Sequence, residues 1–237
     1  MSTRPRPFVS TPPRGQGIRV RTPPVGDRLR IGVMGGSFDP PHEGHLTVAE
    51  TALRRLRLDR LWWLVSPGNP LKDHAQLAPL CDRMAEARAL AADTRMAITA
   101  FERDLDTAYT AKVLDFLTGR YPRAHFVWIM GADNLASFHR WQQWRTIAQT
   151  VPIAVVDRPG YRLKALASPA GRAFADYRLP EALAPRLAIT APPAMVMLTT
   201  RLSPLSSTSL RASRSTLLLA GHDPQARIVK PGQHDCV

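Results

Sequence analysis

Ile31-Gly32-Val33-Met34-Gly35-Gly36-Ser37-Phe38-Asp39-Pro40-Pro41-His42-Glu43-Gly44-His45-Leu46 is the stretch around which this chain is organised. It begins as a short apolar run, breaks at paired glycines, turns through two prolines and delivers two histidines three residues apart. A strand, a glycine turn that lets backbone amides approach an anion, and a helix N-terminus together make a phosphate site. Imidazoles at such a helix start can donate hydrogen bonds to phosphate oxygens as charge builds in a transition state. Gly44, between them, keeps a Cβ away from the surface where a nucleotide would pack. The bland alternative is a pair of helix-capping or surface histidines. The Gly-Gly-Ser-Phe-Asp-Pro-Pro run ahead of them, on a strand end, favours the functional reading. His42, His45, Asp73 and His74 are also potential zinc ligands, but neither their spacing nor a cysteine partner supports a metal site.

Downstream, Leu46, Ala49, Leu53 and Leu56 recur at spacings of three and four, which predicts a helix from Glu43 with Arg54, Arg55 and Arg57 outside. The first strand is predicted at 30–35, and further strands at 61–65, 95–100, 125–130, 153–156 and 195–198. Helices are predicted at 80–92, 107–117, 134–138 and 141–148. The serine-rich segment 203–209 opens a last helix running through Arg211. Strands alternating with helices imply an α/β fold, Rossmann-like and doubly wound, with a mostly parallel sheet and helices on both faces. Ligands bind such sheets beyond the carboxyl ends of the strands, near the switch point. The opening stretch, 66–72, 131–133 and 198–211 all follow predicted strands, so they gather on one rim.

The chain has 237 residues and 44% apolar content, enough for one domain with tails and a full core. No window approaches the roughly 18 consecutive apolar residues of a membrane span, so no membrane partner is expected. Residues 1–29 hold six prolines and no apolar periodicity and read as a disordered basic arm. Residues 30–220 form the domain, with 158–193 an irregular excursion, and 221–237 read as a tail. The net charge of +13 fits either nucleic acid or an anionic small molecule. Seven arginines within residues 1–30 face a single acid, Asp27. About half the excess charge therefore sits in the arm, and elsewhere no dense basic stripe argues for nucleic acid. Cys81 and Cys236 lie far apart and suggest neither a disulfide framework nor a metal site, which fits a reduced, cytoplasmic setting.

The motif at 35–45, followed by Ser206-Ser207-Thr208-Ser209-Leu210-Arg211, resembles the nucleotidyltransferase superfamily with HxGH and ISSTxxR-type signatures. Read alone, the second segment is as easily a simple N-cap run. Together they look most like bacterial nicotinate-nucleotide adenylyltransferases. The doubled proline before histidine belongs to that likeness, whereas phosphopantetheine adenylyltransferases usually carry threonine where His42 stands. The resemblance implies transfer of AMP from ATP to nicotinate mononucleotide, with Mg²⁺ carried in on ATP. Of the catalytic groups it implies, His42 and His45 would hold the ATP phosphates, and Lys72 and Arg211 would neutralise the leaving pyrophosphate. Gly35, Gly36, Ser37, Phe38, Gly44, Gly131, Asp133, Ser207 and Thr208 would complete the ATP site. Tyr109, Thr110 and Trp141 would meet the acceptor, although five tryptophans cannot all be ligand contacts and Trp141 also reads as a core residue. Leu71 replaces the histidine that precedes the family's loop lysine. The short apolar run 216–219 departs from the family's longer final helix, and the resemblance leaves a homo-oligomer open. Two alternatives stand at this point: another HxGH adenylyl- or cytidylyltransferase, acting for example on pantetheine phosphate, and a basic nucleic-acid-binding protein on the same fold.

Overall fold

The computed structural model describes residues 20–67, 77–105, 107 and 109–200. Seven strands form one sheet: β1 (Arg30–Gly36), β2 (Arg60–Val65), β3 (Met96–Thr99), β4 (His125–Gly131), β5 (Ile153–Val156), β6 (Arg178–Leu179) and β7 (Met195–Leu198). Their order is β3-β2-β1-β4-β5-β7-β6, and every pairing is parallel. The chain winds outward from β1 to β3 and then crosses to β4 on the other side. The switch point therefore lies between β1 and β4, where the carboxyl ends of neighbouring strands open a crevice.

The central strands are apolar throughout because both faces are covered. Val33, Trp62, Leu64, Trp128, Met130, Ile153 and Val155 enter one buried cluster, which also receives Leu114 of α3 (Thr110–Arg120), Leu135 of α4 (Ala132–Ser137) and Ile147 of α5 (Trp144–Thr150). Met34, Leu61, Trp63, Val65, Ile129, Ala154 and Val156 enter the other, capped by Ala49 and Leu53 of α1 (Glu43–Arg55) and by Met84 and Ala87 of α2 (Leu80–Leu90). Residues alternate between the clusters along each strand, as the two-residue period of a pleated strand demands. The doubly wound α/β expectation is met.

Three features differ from the sequence expectations. The stretch 158–193 is largely regular, with α6 (Arg162–Ala167), α7 (Pro169–Ala173), β6 and a 3₁₀ helix over Glu181–Ile189. α6 and α7 complete fewer than two turns, so no apolar period can show in their sequence. A local signal was present nonetheless. Ser168 caps α7 by accepting from the Gly171 amide at 3.0 Å, with Pro169 at the first helical position. Residues 20–29, expected within the disordered arm, lie against the domain. Val20, Val25 and Leu29 pack on the core, the Thr22 and Tyr121 hydroxyls are hydrogen-bonded, and Arg28 N donates to the Arg123 carbonyl at 2.8 Å. Pro23 and Pro24 separate Val20 from Val25, and three anchors are too few to show a period. Cys81, in the first turn of α2, is disulfide-bonded, where the sequence suggested no disulfide. Among the described residues, no helix is long and apolar enough to cross a membrane.

Candidate active site

β1 ends at Gly36, and the backbone then turns through Phe38, a non-glycine residue at φ 45°. That left-handed conformation costs a bulky residue roughly 1–3 kcal/mol and persists only where surrounding packing imposes it. The packing is visible: the Phe38 ring is 1% exposed, stacks on Trp63 at 5.0 Å and meets His45 edge-on at 4.9 Å. Expected at the ATP site, the Phe38 side chain instead lies under His45 and can offer a nucleotide only its backbone. Gly35 is required by close approach. A Cβ there would come within 2.5 Å of Cη2 of Trp128.

The turn delivers His42 to the N-cap of α1. Its Nδ1 accepts from the Gly44 amide at 3.0 Å, and the His45 Nδ1 accepts from the His42 amide at 3.3 Å. The two histidines thus form a reciprocal capping box in which imidazoles replace the usual Ser/Thr and Glu/Gln. The capping role expected as the bland alternative is present, and it engages Nδ1 of both rings. Two Nδ1 acceptors assign both rings the tautomer with the proton on Nε2, so Nε2–H is the group each can donate to an anion. The ring centroids are 3.9 Å apart.

His42 is only 5% exposed. Burial, reinforced by the positive charge of Arg158 and opposed by Asp133, lowers its pKa to about 4. It is neutral at pH 7, so it can offer an anion an Nε2–H donor but no positive charge. The same shift makes a stability statement. Between pH 6.5 and about 4 the unfolded chain binds a proton at this position that the folded chain refuses, so stability falls on acidification across that window. The variant His42→Asn keeps a good N-cap but removes the titrating group. Its melting temperature is expected to fall less steeply than that of the wild type from pH 6.5 to 4.5, measured by circular dichroism.

Across the switch point, Gly131 ends β4 and Asp133 stands in the first turn of α4. Asp133 Oδ2 accepts from Arg158 Nη1 at 3.0 Å, while its buried Oδ1 has no hydrogen-bond partner among the described residues. A Cβ on Gly131 would lie 2.4 Å from that Oδ1 and 3.0 Å from Cδ of Arg158, so glycine admits the pair. The rim continues past β5 and β7. Asp157 Oδ1 accepts from the Arg158 amide at 2.8 Å and its Oδ2 from Arg162 at 3.0 Å. Arg162 reaches the Thr199 hydroxyl at 3.3 Å, and Glu181 binds both Thr199 and Arg55.

On the other side of β1, Arg83 is 2% exposed. It donates to the carbonyls of Ser37 at 2.6 Å, Ser66 at 2.9 Å and Ala78 at 2.8 Å, with Asp39 as its nearby countercharge. One side chain thus fixes the turn after β1 to the end of β2. Trp141 is half-buried. It stands edge-on to Trp128 at 6.3 Å and to Phe138 at 5.3 Å, while the Trp128 ring abuts Gly35. Tyr109 is 39% exposed at the N-cap of α3, and Thr110 is that helix's first residue.

The structure thus brings His42, His45, Gly35, Gly36, Ser37, Gly44, Gly131 and Asp133 to adjacent strand ends, with Tyr109, Thr110 and Trp141 on elements alongside. Lys72, Ser207, Thr208 and Arg211 lie outside the described residues. Arg83 and Arg158 were missed in the sequence. Arg83 had a signal, since it falls among Leu80, Met84 and Ala87 on the inward stripe of α2, where an arginine must have buried partners. Arg158 had none beyond following a strand.

The chain matches the cytidylyltransferase-like family over residues 33–213. A protein of Methylorubrum extorquens, named "Probable nicotinate-nucleotide adenylyltransferase", is 58% identical over 77% of this chain and 99% of its own length. One of the same name from Rhizobium meliloti is 53% identical over 79% of this chain and all of its own. Among solved structures, the nicotinic acid mononucleotide adenylyltransferase of Plasmodium falciparum shares the fold with a TM-score of 0.58 at 14% identity, over 78% of this chain and 83% of that one. With a strand–glycine-turn–helix site at its switch point and matches of this extent, the chain belongs to the cytidylyltransferase-like nucleotidyltransferases and, within them, to the nicotinate-nucleotide adenylyltransferase family.

Proposed function

We propose that the chain transfers AMP from ATP to nicotinate mononucleotide, giving nicotinate adenine dinucleotide and pyrophosphate, an adenylylation step of NAD biosynthesis. The observation that carries the chemistry is the pair of imidazoles that cap α1 through Nδ1 at the switch point, which leaves each Nε2 as the ring's donor. The acceptor is assigned from the names of relatives 52–58% identical to this chain.

A phosphate oxygen of nicotinate mononucleotide attacks the α-phosphorus of ATP. A new P–O bond forms, the α–β bridging P–O bond breaks, and pyrophosphate leaves with the electron pair. The nucleophile is already an anion, so no protein nucleophile or general base is needed. Catalysis rests on positioning and charge stabilisation. In this reading the Nε2–H groups of His42 and His45 donate to the ATP phosphates. The amides after Gly35 and Gly36 and those near Gly44 line the same anion, and the Gly131–Asp133 turn meets the nucleoside. Lys72 and Arg211 neutralise the departing pyrophosphate, with Ser207 and Thr208 as further donors. In support, Thr200 is hydrogen-bonded to Thr51 on α1 at 2.9 Å, only six residues before Ser206. Tyr109, Thr110 and Trp141 receive the nicotinate mononucleotide.

Among the described residues, no group of three or more His, Cys, Asp or Glu could hold a metal ion. In this reading Mg²⁺ arrives as part of the ATP substrate, ligated mainly by phosphate oxygens and water. ATP as substrate also favours the cytoplasm. Purified protein incubated with ATP and separate phosphate acceptors, read by pyrophosphate release, tests the reading. Nicotinate mononucleotide is expected to exceed pantetheine phosphate by orders of magnitude, and the reverse order would overturn the assignment.

A further inference from the structure

Three acidic side chains are buried among the described residues. Asp39 lies beside Arg83, and Asp157 binds Arg162. Glu102, 4% exposed in the turn after β3, is met by the Ser66 hydroxyl, and its Oε2 has no hydrogen-bond partner among the described residues. A carboxyl group buried this way costs folding free energy, more if ionised, so its place in the structure is informative.

Glu102 sits in a continuous hydrogen-bonded path across the carboxyl ends of three neighbouring strands. The Ser66 amide, just past β2, donates to the Gly36 carbonyl at the end of β1, at 2.9 Å. Arg83 holds the Ser66 carbonyl together with that of Ser37. The Ser66 side chain reaches Glu102. The Glu102 carbonyl accepts from the amides of Leu105 at 3.2 Å and Thr107 at 3.4 Å, and the Thr107 hydroxyl accepts from the Tyr109 amide at 3.2 Å. The path thus runs from the phosphate turn to the residue that opens α3.

We propose that Glu102 is a positioning residue for the acceptor: through Ser66, its buried carboxyl sets the Tyr109–Thr110 start of α3 at a fixed place relative to the phosphate turn of β1. This rests on Tyr109 and Thr110 being acceptor contacts. Burial also pushes the Glu102 pKa up to about 7, so the neutral acid is well populated at neutral pH and an amide is its close mimic. Neither Glu102 nor Ser66 needs to touch a substrate for this role.

The test compares Glu102→Gln and Glu102→Leu with the wild type, measuring KM for ATP and for the acceptor separately. Glu102→Leu is expected to raise the acceptor KM about tenfold, within the ~10²-fold that a 1 Å misplacement can cost, and to leave the ATP KM unchanged. Glu102→Gln, which can still bond the Ser66 hydroxyl, is expected to keep wild-type values for both. An unchanged acceptor KM in Glu102→Leu overturns the proposal, as does an equal rise in both KM values or a Gln variant as impaired as the Leu variant. Should Glu102→Leu fail to fold, Ser66→Ala, which removes the other half of the contact, is expected to show the same selective rise, and its absence is equally decisive. Wild-type turnover of nicotinate mononucleotide tests the acceptor assignment by itself. The Glu102 comparison is made with whichever phosphate acceptor the wild type uses, so the two readings fail separately.

Discussion

Replacing His45 by alanine is expected to lower kcat for adenylyl transfer by about 10²–10³-fold, the loss typical of removing one preorganised donor from a developing charge. The same side chain also accepts from the His42 amide at the start of α1, so His45→Ala loses half of a capping box as well. A second variant separates the two roles. Glutamine is a natural capping-box residue at this third helical position. His45→Gln is therefore expected to keep the wild-type melting temperature while losing activity nearly as far as His45→Ala. His45→Ala is expected to lose about 0.5–2 kcal/mol of stability in addition. Steady-state pyrophosphate release and thermal denaturation of both variants provide the measurement. Near-normal turnover in either one removes His45 from the catalytic assignment. Its ring is already braced by Phe38, so the imidazole is held before substrate arrives.

The largest effect on stability is expected at Arg83. Its guanidinium serves three backbone carbonyls and neighbours the buried Asp39, all at the base of the site. Arg83→Met preserves much of the side chain's apolar volume but strands those groups without a donor. Removing one partner from a buried charged network costs about 3–5 kcal/mol. Denaturant unfolding is expected to show a loss of that order, and a variant within about 1 kcal/mol of the wild type would contradict the bridging role of Arg83. Arg83→Lys should recover little, because an ammonium group cannot match the planar fork that reaches carbonyls on separate segments. The Ser37 and Ser66 carbonyls mark the ends of β1 and β2. The folded fraction of Arg83→Met is accordingly expected to show reduced kcat, since the turn after β1 loses its tie to the neighbouring strand.

Short and long elements differed in how far the sequence revealed them. β1, α1, β2 and β4 carry enough apolar residues in a fixed period to announce themselves, and their observed limits depart from expectation by only a residue or two. The two helices that fill the stretch after β5 are six and five residues long, too brief for a 3.6-residue period to emerge. β6, two residues long at the sheet edge, has no pattern of its own, and it exists because β7 offers it a parallel partner. Site residues divide along the same line. His42, His45, Gly35, Gly36 and Gly44 lie within one contiguous stretch whose turn and helix start arise from neighbouring residues. Arg83, Glu102 and Arg158 come from three separate elements, and each acts on groups distant in sequence.

The sequence by itself therefore determined the doubly wound α/β class, the strand–turn–helix form of the stretch into α1 and, through resemblance, the family. Local propensity and periodicity suffice for those, because neighbouring residues along the chain create them. Only the tertiary structure decided that the two histidines cap α1 through Nδ1, which puts their donor protons on Nε2. It alone decided that His42 is neutral, that Phe38 supports His45, and that Arg83 and Glu102 join the ends of β1, β2 and β3. Protonation and desolvation depend on what surrounds an atom in space. Those surroundings come from segments that meet only when the sheet is assembled.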